Sequence, residues 1–329
     1  MGKKTLHICT ALLLVLGLMI SSLPVLADES KWEKSTFSSW SDYNIYSGKN
    51  ELTNISTKLD KANLAYMLVE AFDLQMDGEP ANIVDVTESD WYYNYVQIAL
   101  SHDLMSLENG YFYPNKYILR EEIPAYLEFL PLEYKVVDDT EYLDIEDASE
   151  ENADIFKKFV KAGYMSNLSS DYVFPNRIAT VSDMIVTLDK MFPNVSNGIV
   201  KGSVYNGNFI LKEKMTYLEN ATINGDLIIT QGAMEDSFVK GNFKISLVNV
   251  KVNGDIYIYG GSLYGGFFLT NVNAKSIHIL TESPTIFKIT DSSIDEIYSN
   301  SELANFYTNV ELNIAESKGE VSVNPWYLK

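Results

Sequence analysis

Five stretches of the chain align without gaps, and they leave little choice of fold for its C-terminal part. Residues 218–223 read Leu-Glu-Asn-Ala-Thr-Ile and continue to Leu227-Ile228-Ile229. Residues 247–252, 269–274, 289–294 and 307–312 repeat the pattern and continue to Ile256-Tyr257-Ile258, Ile277-His278-Ile279, Ile297-Tyr298 and Ile314. All five share one polar position, Asn220, Asn249, Asn271, Asp291 and Asn309, at steps of 29, 22, 20 and 18 residues. Each stretch alternates apolar and polar residues with strand periodicity, and each is too short to bury its own apolar edge. A period near twenty therefore predicts stacked rungs sharing one continuous core. The expected architecture over 203–329 is a right-handed parallel β-helix, a β-solenoid, with a sandwich of meandering strands as the alternative. The recurring Asn suits a turn, where its amide satisfies backbone groups and stacks on the next rung. Asn206-Gly207-Asn208 starts an earlier rung, and Asn224-Gly225-Asp226 and Asn253-Gly254-Asp255 are near-copies of one another. The uneven steps place longer loops at 231–238 and 260–266.

The preceding half has a different period. Leu64, Met67, Leu68, Ala71 and Phe72 fall on one helical face, as do Ile123, Tyr126, Leu127 and Leu130, and Met184, Leu188, Met191 and Phe192. A helix near 90–102 and another near 150–162 precede the last two of these. Aligning the similar helices puts Lys61, Arg120 and Val181 in register, 59 and 61 residues apart, so 57–192 is an internal repeat. Pro, Asn, Ser and Gly cluster over 193–202, which reads as a linker.

The middle copy carries the clearest motif. It runs Ile83-Val84-Asp85-Val86, Trp91, Asn109-Gly110-Tyr111-Phe112-Tyr113-Pro114 and Ile118-Leu119-Arg120-Glu121-Glu122. This resembles the S-layer homology domain, with its Phe-x-Asp opening, a Trp at the first helix, a Gly-x-Phe-x-Pro loop and an Ile-Thr-Arg-Ala-Glu start to the second helix. The third copy is a diverged version: Tyr142-Leu143-Asp144-Ile145, Gly163, Phe174-Pro175 and Ala179-Thr180-Val181-Ser182-Asp183. The first keeps its second helix, Leu59-Asp60-Lys61-Ala62-Asn63, while 28–56 is a degenerate part of it at most; Trp32 precedes Lys61 by 29 residues, as Trp91 precedes Arg120.

The resemblance implies a three-pronged bundle that docks non-covalently on secondary cell-wall polysaccharide, often pyruvylated. A ketal carboxylate needs a cation, and guanidinium offers a bidentate fork for it; a helix start would add amides that favour anions. The residues expected to bind glycan are Arg120, Lys61, Glu122, Trp91 and Asp85. Only Arg120 has the motif arginine, Lys61 stands in as a point charge and Val181 cannot, so one or two working pockets are expected. The alternative for Arg120 is a structural ion pair, and for Trp91 a place in the core.

Composition narrows the rest. Residues 1–27, with Lys3-Lys4, an apolar run from Ile8 to Ile20 and Val25-Leu26-Ala27, read as a secretory signal peptide that takes the one cysteine with it. Without them, 23 basic residues face 45 acidic ones, a net charge of −22, which argues against nucleic acid and anionic membrane surfaces. Nine acids crowd residues 138–154; without the spacing of a calcium loop, they read as a solvated connector with an acidic helix start. No cofactor or metal motif is visible, the solenoid region has no arginine, and His102 and His278 are the histidines left for catalysis. The expected protein is a non-catalytic one on a bacterial, Gram-positive, cell surface. Its repeats hold wall polysaccharide and its solenoid is a structural or binding element for a surface or extracellular protein. The alternatives are a polysaccharide-degrading enzyme using the β-helix face, and a scaffold whose repeats no longer bind.

Overall fold

The three helical repeats meet at a hub made of backbone. The computed structural model describes residue 40 and residues 55–76, 78–165, 168–230, 244–260 and 266–326. The expected signal peptide, Trp32, most of 28–56 and nearly all of the two long solenoid loops lie outside these residues. The helices are α1 (Lys61–Phe72), α2 (Tyr93–Ser101), α3 (Ile123–Leu127) entered through a 3-10 turn (Arg120–Glu122), α4 (Ala153–Lys161) and α5 (Val181–Met191). At the hub Ile118 N–H donates to Leu59 C=O, Ala179 N–H to Ile118 C=O and Leu59 N–H to Ala179 C=O, at 2.8–2.9 Å. Two further rings of three follow the same rotation. Lys61, Arg120 and Val181 donate to the carbonyls of Lys116, Arg177 and Thr57, and Ala62, Glu121 and Ser182 to those of Pro114, Pro175 and Ile55.

The first two amides of each second helix, which a helix leaves without internal partners, are thus satisfied by a loop of the next repeat. The rings close only because 55–57 supplies the loop of the first copy. Asp60 and Thr180 cap the third amide of α1 and α5 with their side chains. Around the hub the apolar stripes of α1, α3 and α5 close one core with Phe112, Phe156, Phe159 and Phe192, and Trp40 is fully buried in it.

The strand half is a parallel β-solenoid of about five turns. Its strands are β1 (Asn194–Lys201), β2 (Val204–Asn206), β3 (Phe209–Asn224), β4 (Leu227–Ile229), β5 (Lys244–Val252), β6 (Ile256–Ile258), β7 (Gly266–Ile279), β8 (Thr285–Thr290), β9 (Ser293–Ser299), β10 (Leu303–Thr308), β11 (Ile314–Ser317) and β12 (Glu320–Pro325). Every pairing is parallel: β3 with β5, β5 with β7, β7 with β8 and β9, β4 with β6, β10 with β12. The sandwich alternative is excluded, because meandering neighbours would pair antiparallel. Phe267, Phe287 and Phe306 stack through the core with centroids 4.6 and 5.2 Å apart.

The polar ladder stands at the turn. Asn220, Asn249, Asn271 and Asp291 all have φ of 53–55°, the left-handed region that Asn and Asp tolerate best after glycine. Asn249 Nδ2 donates to Asn220 Oδ1 and Asn271 Nδ2 to Asn249 Oδ1, each at 2.9 Å. A second amide ladder joins Asn206, Asn224 and Asn253 at 2.7–2.8 Å. At that turn the rungs stack tightly: a Cβ on Gly225 would come within 2.5 Å of the Gly207 backbone.

Residues 193–202 are not a free linker. Asn194–Lys201 forms β1 and pairs with β3 in parallel, so the solenoid begins at the end of α5. It also packs on the bundle. Ile210, Ile228 and Tyr257 belong to the helical core. The buried Lys212 donates its Nζ to the carbonyls of Glu70 and Ala71 (3.3 Å to Ala71) and pairs with Asp73 at 3.2 Å. A cation thus meets the carbonyl end of α1, where the helix dipole favours it.

Candidate functional site

The three-fold backbone creates three seams, and each brings together the motif position of one copy, a loop residue of the next and the third helical residue of that next copy. In the seam between copies one and two these are Lys61, Lys116 and Glu122. Between copies two and three they are Arg120, Arg177 and Asp183. Between copies three and one Val181 meets Thr57 through the backbone, and the equivalent third helical residue is Asn63. The backbone is shared, so the side chains decide what each seam does.

The first seam is open. A cavity of about 370 Å³ there is lined by Lys61, Glu108, Lys116, Glu122, Tyr126 and Glu151 among others. Lys61 lies along its wall with Nζ 4.6 Å from the Phe112 ring centroid and 3.4 Å from the Ser106 carbonyl. Burial pushes its ammonium below the usual lysine range, against the pull of nearby Glu108. Lys116 pairs with Glu108 at 3.3 Å, and both are half exposed. Glu122 reaches back to the Leu119 amide at 2.6 Å. Two lysines, four acids and a phenol thus line one open groove, a polar lining able to hydrogen bond a hydroxylated ligand.

The second seam is closed. Arg120 is fully buried. Its Nε donates to the Val173 carbonyl at 3.1 Å and its Nη1 to Asp183. Arg177 Nη2 lies 2.7 Å from both oxygens of the same carboxylate, which also accepts from the Thr180 amide and hydroxyl. One carboxylate is shared by two guanidinium groups. Burial lowers Arg120 and the Asp183 charge opposes it. Arg120 was expected to present its fork to a sugar; the structure commits that fork to Asp183, the ion pair that sequence reading held as the alternative. The helix-start amides expected to assist it are used in the hub.

Asp85 is also committed internally. Its carboxylate accepts from the amides of Phe112 and Tyr113 at 2.7 and 2.8 Å. Asp144 holds Val173 and Phe174 in the same way at 2.9 and 2.7 Å, so this aspartate clamps the loop of its own repeat. Trp91 is 40% exposed, edge-on to Tyr66 and Tyr92, and it does not line the groove. Of the five residues, the structure brings Lys61 and Glu122 to one cavity and sends Arg120, Asp85 and Trp91 elsewhere. Lys116 and Glu108 were missed. Lys116 was findable, because it matches Arg177 in the repeat register.

The acids of 138–154 are dispersed: Asp138 accepts from Thr140 and Tyr142, Asp144 holds its loop and Glu146 pairs with Lys157. Among the described residues, no group of three or more His, Cys, Asp or Glu is placed to share a metal. The solenoid does bring a Ser, a His and an Asp together, which was not visible in sequence. Ser276 donates to Asp255 Oδ1 at 2.6 Å and lies 2.7 Å from His278 Nε2. His278 stacks between Tyr257 and Tyr298 at 4.9 and 4.8 Å.

Residues 82–123 match the family model of the S-layer homology domain. The match spans the middle copy from before Asp85 to the start of α3 and points to association with the bacterial cell surface. No curated protein matches the chain. No helix among the described residues is long and apolar enough to cross a membrane.

Proposed function

We propose that this chain is a non-catalytic protein of the Gram-positive cell wall. The groove between its first two repeats holds secondary wall polysaccharide non-covalently, and its solenoid is presented to the outside. The observation that carries this reading is the contrast between the seams. Where Asp183 engages both guanidinium groups of the second, the first is an open cavity of about 370 Å³ with Lys61 on its wall and Lys116 paired with Glu108 at its half-exposed rim. A pyruvyl carboxylate would enter the groove beside Lys61 and Lys116, where Glu122, the equivalent of Asp183, turns to the Leu119 amide. The net charge of −20 opposes long-range attraction of an acidic glycan, so the interaction is local and weakens with salt.

The experiment is co-sedimentation of the protein with Gram-positive sacculi, with and without their secondary polysaccharide. Pelleting is expected only with the polysaccharide, and Lys61→Met with Lys116→Met is expected to abolish it. Equal pelleting with stripped sacculi would overturn the proposal. Arg120→Ala is the wrong probe here, since it removes a fully buried guanidinium and disrupts the fold.

A further inference from the structure

We propose that two stacked aromatic pairs, Tyr111 with Tyr113 and Tyr172 with Phe174, are sugar-stacking platforms, each laying the C–H face of a pyranose ring beside an inter-repeat seam. This rests on the wall-glycan reading and adds a second, uncharged contact to it. The pairs occupy equivalent places, 61 residues apart, on either side of a buried residue, Phe112 in one loop and Val173 in the other. All four rings are 39–42% exposed. Centroids in both pairs are 5.6 Å apart, with interplanar angles of 21° and 27°.

Three features make these loops more than exposed apolar surface. The second ring of each pair stands on a left-handed backbone, φ 58° at Tyr113 and 49° at Phe174, where a side chain is disfavoured and glycine or asparagine is the easier choice. Asp85 and Asp144 hold the amides on that backbone, so the loop carrying each pair is set before any ligand arrives, and each ring rests against its neighbour. The Tyr111/Tyr113 loop also lies between Glu108 and Lys116, both of which line the open groove. A ring face is the negative pole of the aromatic quadrupole and attracts the polarised C–H face of a sugar, while an acidic substituent of that sugar reaches toward the groove cations. The second loop borders the seam that Asp183 fills, so its platform takes a neutral residue of the glycan. Asp85 is thereby a positioning residue.

The test uses the full chain and two probes: soluble fragments of the secondary polysaccharide, as purified and after mild-acid removal of pyruvyl groups. Tyr111→Ser with Tyr113→Asn, and Tyr172→Ser with Phe174→Asn, remove the platforms while asparagine keeps the left-handed turn. By calorimetric titration each pair of changes should weaken binding about three- to tenfold. The factor should be the same on both probes and at low and high salt, because stacking is not screened. Lys61→Met should cost affinity mainly on the pyruvylated probe at low salt. Tyr111→Phe with Tyr113→Phe should bind as the unaltered chain does. Unchanged affinity with both platforms removed, alongside a loss for Lys61→Met, would overturn the platforms and leave the anchor standing. No binding of either probe by the unaltered chain would overturn both.

Discussion

Asp183→Asn tests whether the second seam is a staple. The substitution preserves shape and removes the one charge that two guanidinium groups share. Arg120 is 0% exposed and Asp183 3% in their side chains, whereas Arg177 is 36% exposed. Arg177 is the more exposed of the two guanidinium groups, so losing its contact costs less than losing that of Arg120. The Arg120 contact is dry, and removing its counter-charge leaves a buried cation facing a neutral amide, which costs about 3–5 kcal/mol. Thr180 keeps an acceptor in the amide oxygen, so the cap adds little. The loss corresponds to a fall in melting temperature of about 6–20 °C. It is read from urea unfolding followed by the helical circular dichroism signal. Arg120→Met combined with Asp183→Asn removes the buried cation as well and should recover at least half of the loss, because a buried pair replaced as a unit is close to neutral. A loss below about 1 kcal/mol for Asp183→Asn, or no recovery in the combined variant, would refute the view that the seam is held by this charge.

Three further outcomes are expected. Lys212→Met should cost about 3 kcal/mol in urea unfolding, because it leaves the α1 carbonyls and Asp73 facing an apolar chain; a loss under about 0.5 kcal/mol would show that the ammonium does not hold solenoid to bundle. Asn249→Ala should destabilise by about 2–3 kcal/mol, combining the left-handed backbone with two ladder hydrogen bonds, whereas Asn249→Gly should lose only the hydrogen-bond share; equal losses would remove the backbone contribution. Burial, with Asp255 adding to it, holds the Asp226 carboxyl above the usual carboxylate range. The folded state therefore binds that proton more tightly than the unfolded chain, and stability falls as pH rises from the ordinary carboxylate value through the raised one. Asp226→Asn, which keeps an acceptor for the Asp255 amide, should match the unaltered chain in acid and be equal or more stable at neutral pH. A variant less stable at neutral pH than in acid, relative to the unaltered chain, would reverse the sign.

The solenoid was legible because its information is local and repeated. Alignment alone gives the rungs, and a polar residue recurring once per turn at Asn220, Asn249 and Asn271 has few places to stand except a left-handed corner. What stayed hidden depends on distant partners. Residues 193–202 have the composition of a linker, yet the edge of β3 lies alongside and turns Asn194–Lys201 into a strand. Lys212 reads as an ordinary strand lysine, and its acceptors are 141 and 142 residues earlier. Trp32, which matches the motif spacing, lies outside the described residues; among those described, Trp40 is fully buried in the helical core, and no motif pointed to it.

The site shows the same division more sharply. Register correctly paired Lys61 with Arg120 as equivalents, but equivalence of position is not equivalence of surroundings. Each seam is completed by residues of the next repeat, so the fate of a motif cation is written about sixty residues downstream. Arg120 meets Asp183, 63 residues away, together with Arg177 from the following loop; Lys61 shares a cavity with Glu122, whose carboxylate turns back to its own helix start. The shorter Asp183 also caps its own helix at Thr180, yet it still reaches two guanidinium groups at once. The best-conforming motif cation is thus locked in an ion pair, whereas the lysine in the equivalent place packs on Phe112 and the Ser106 carbonyl along the wall of a cavity. A three-fold scaffold permits this division, because one seam can hold two repeats together through a buried ion pair while another, built on the same backbone, stays open.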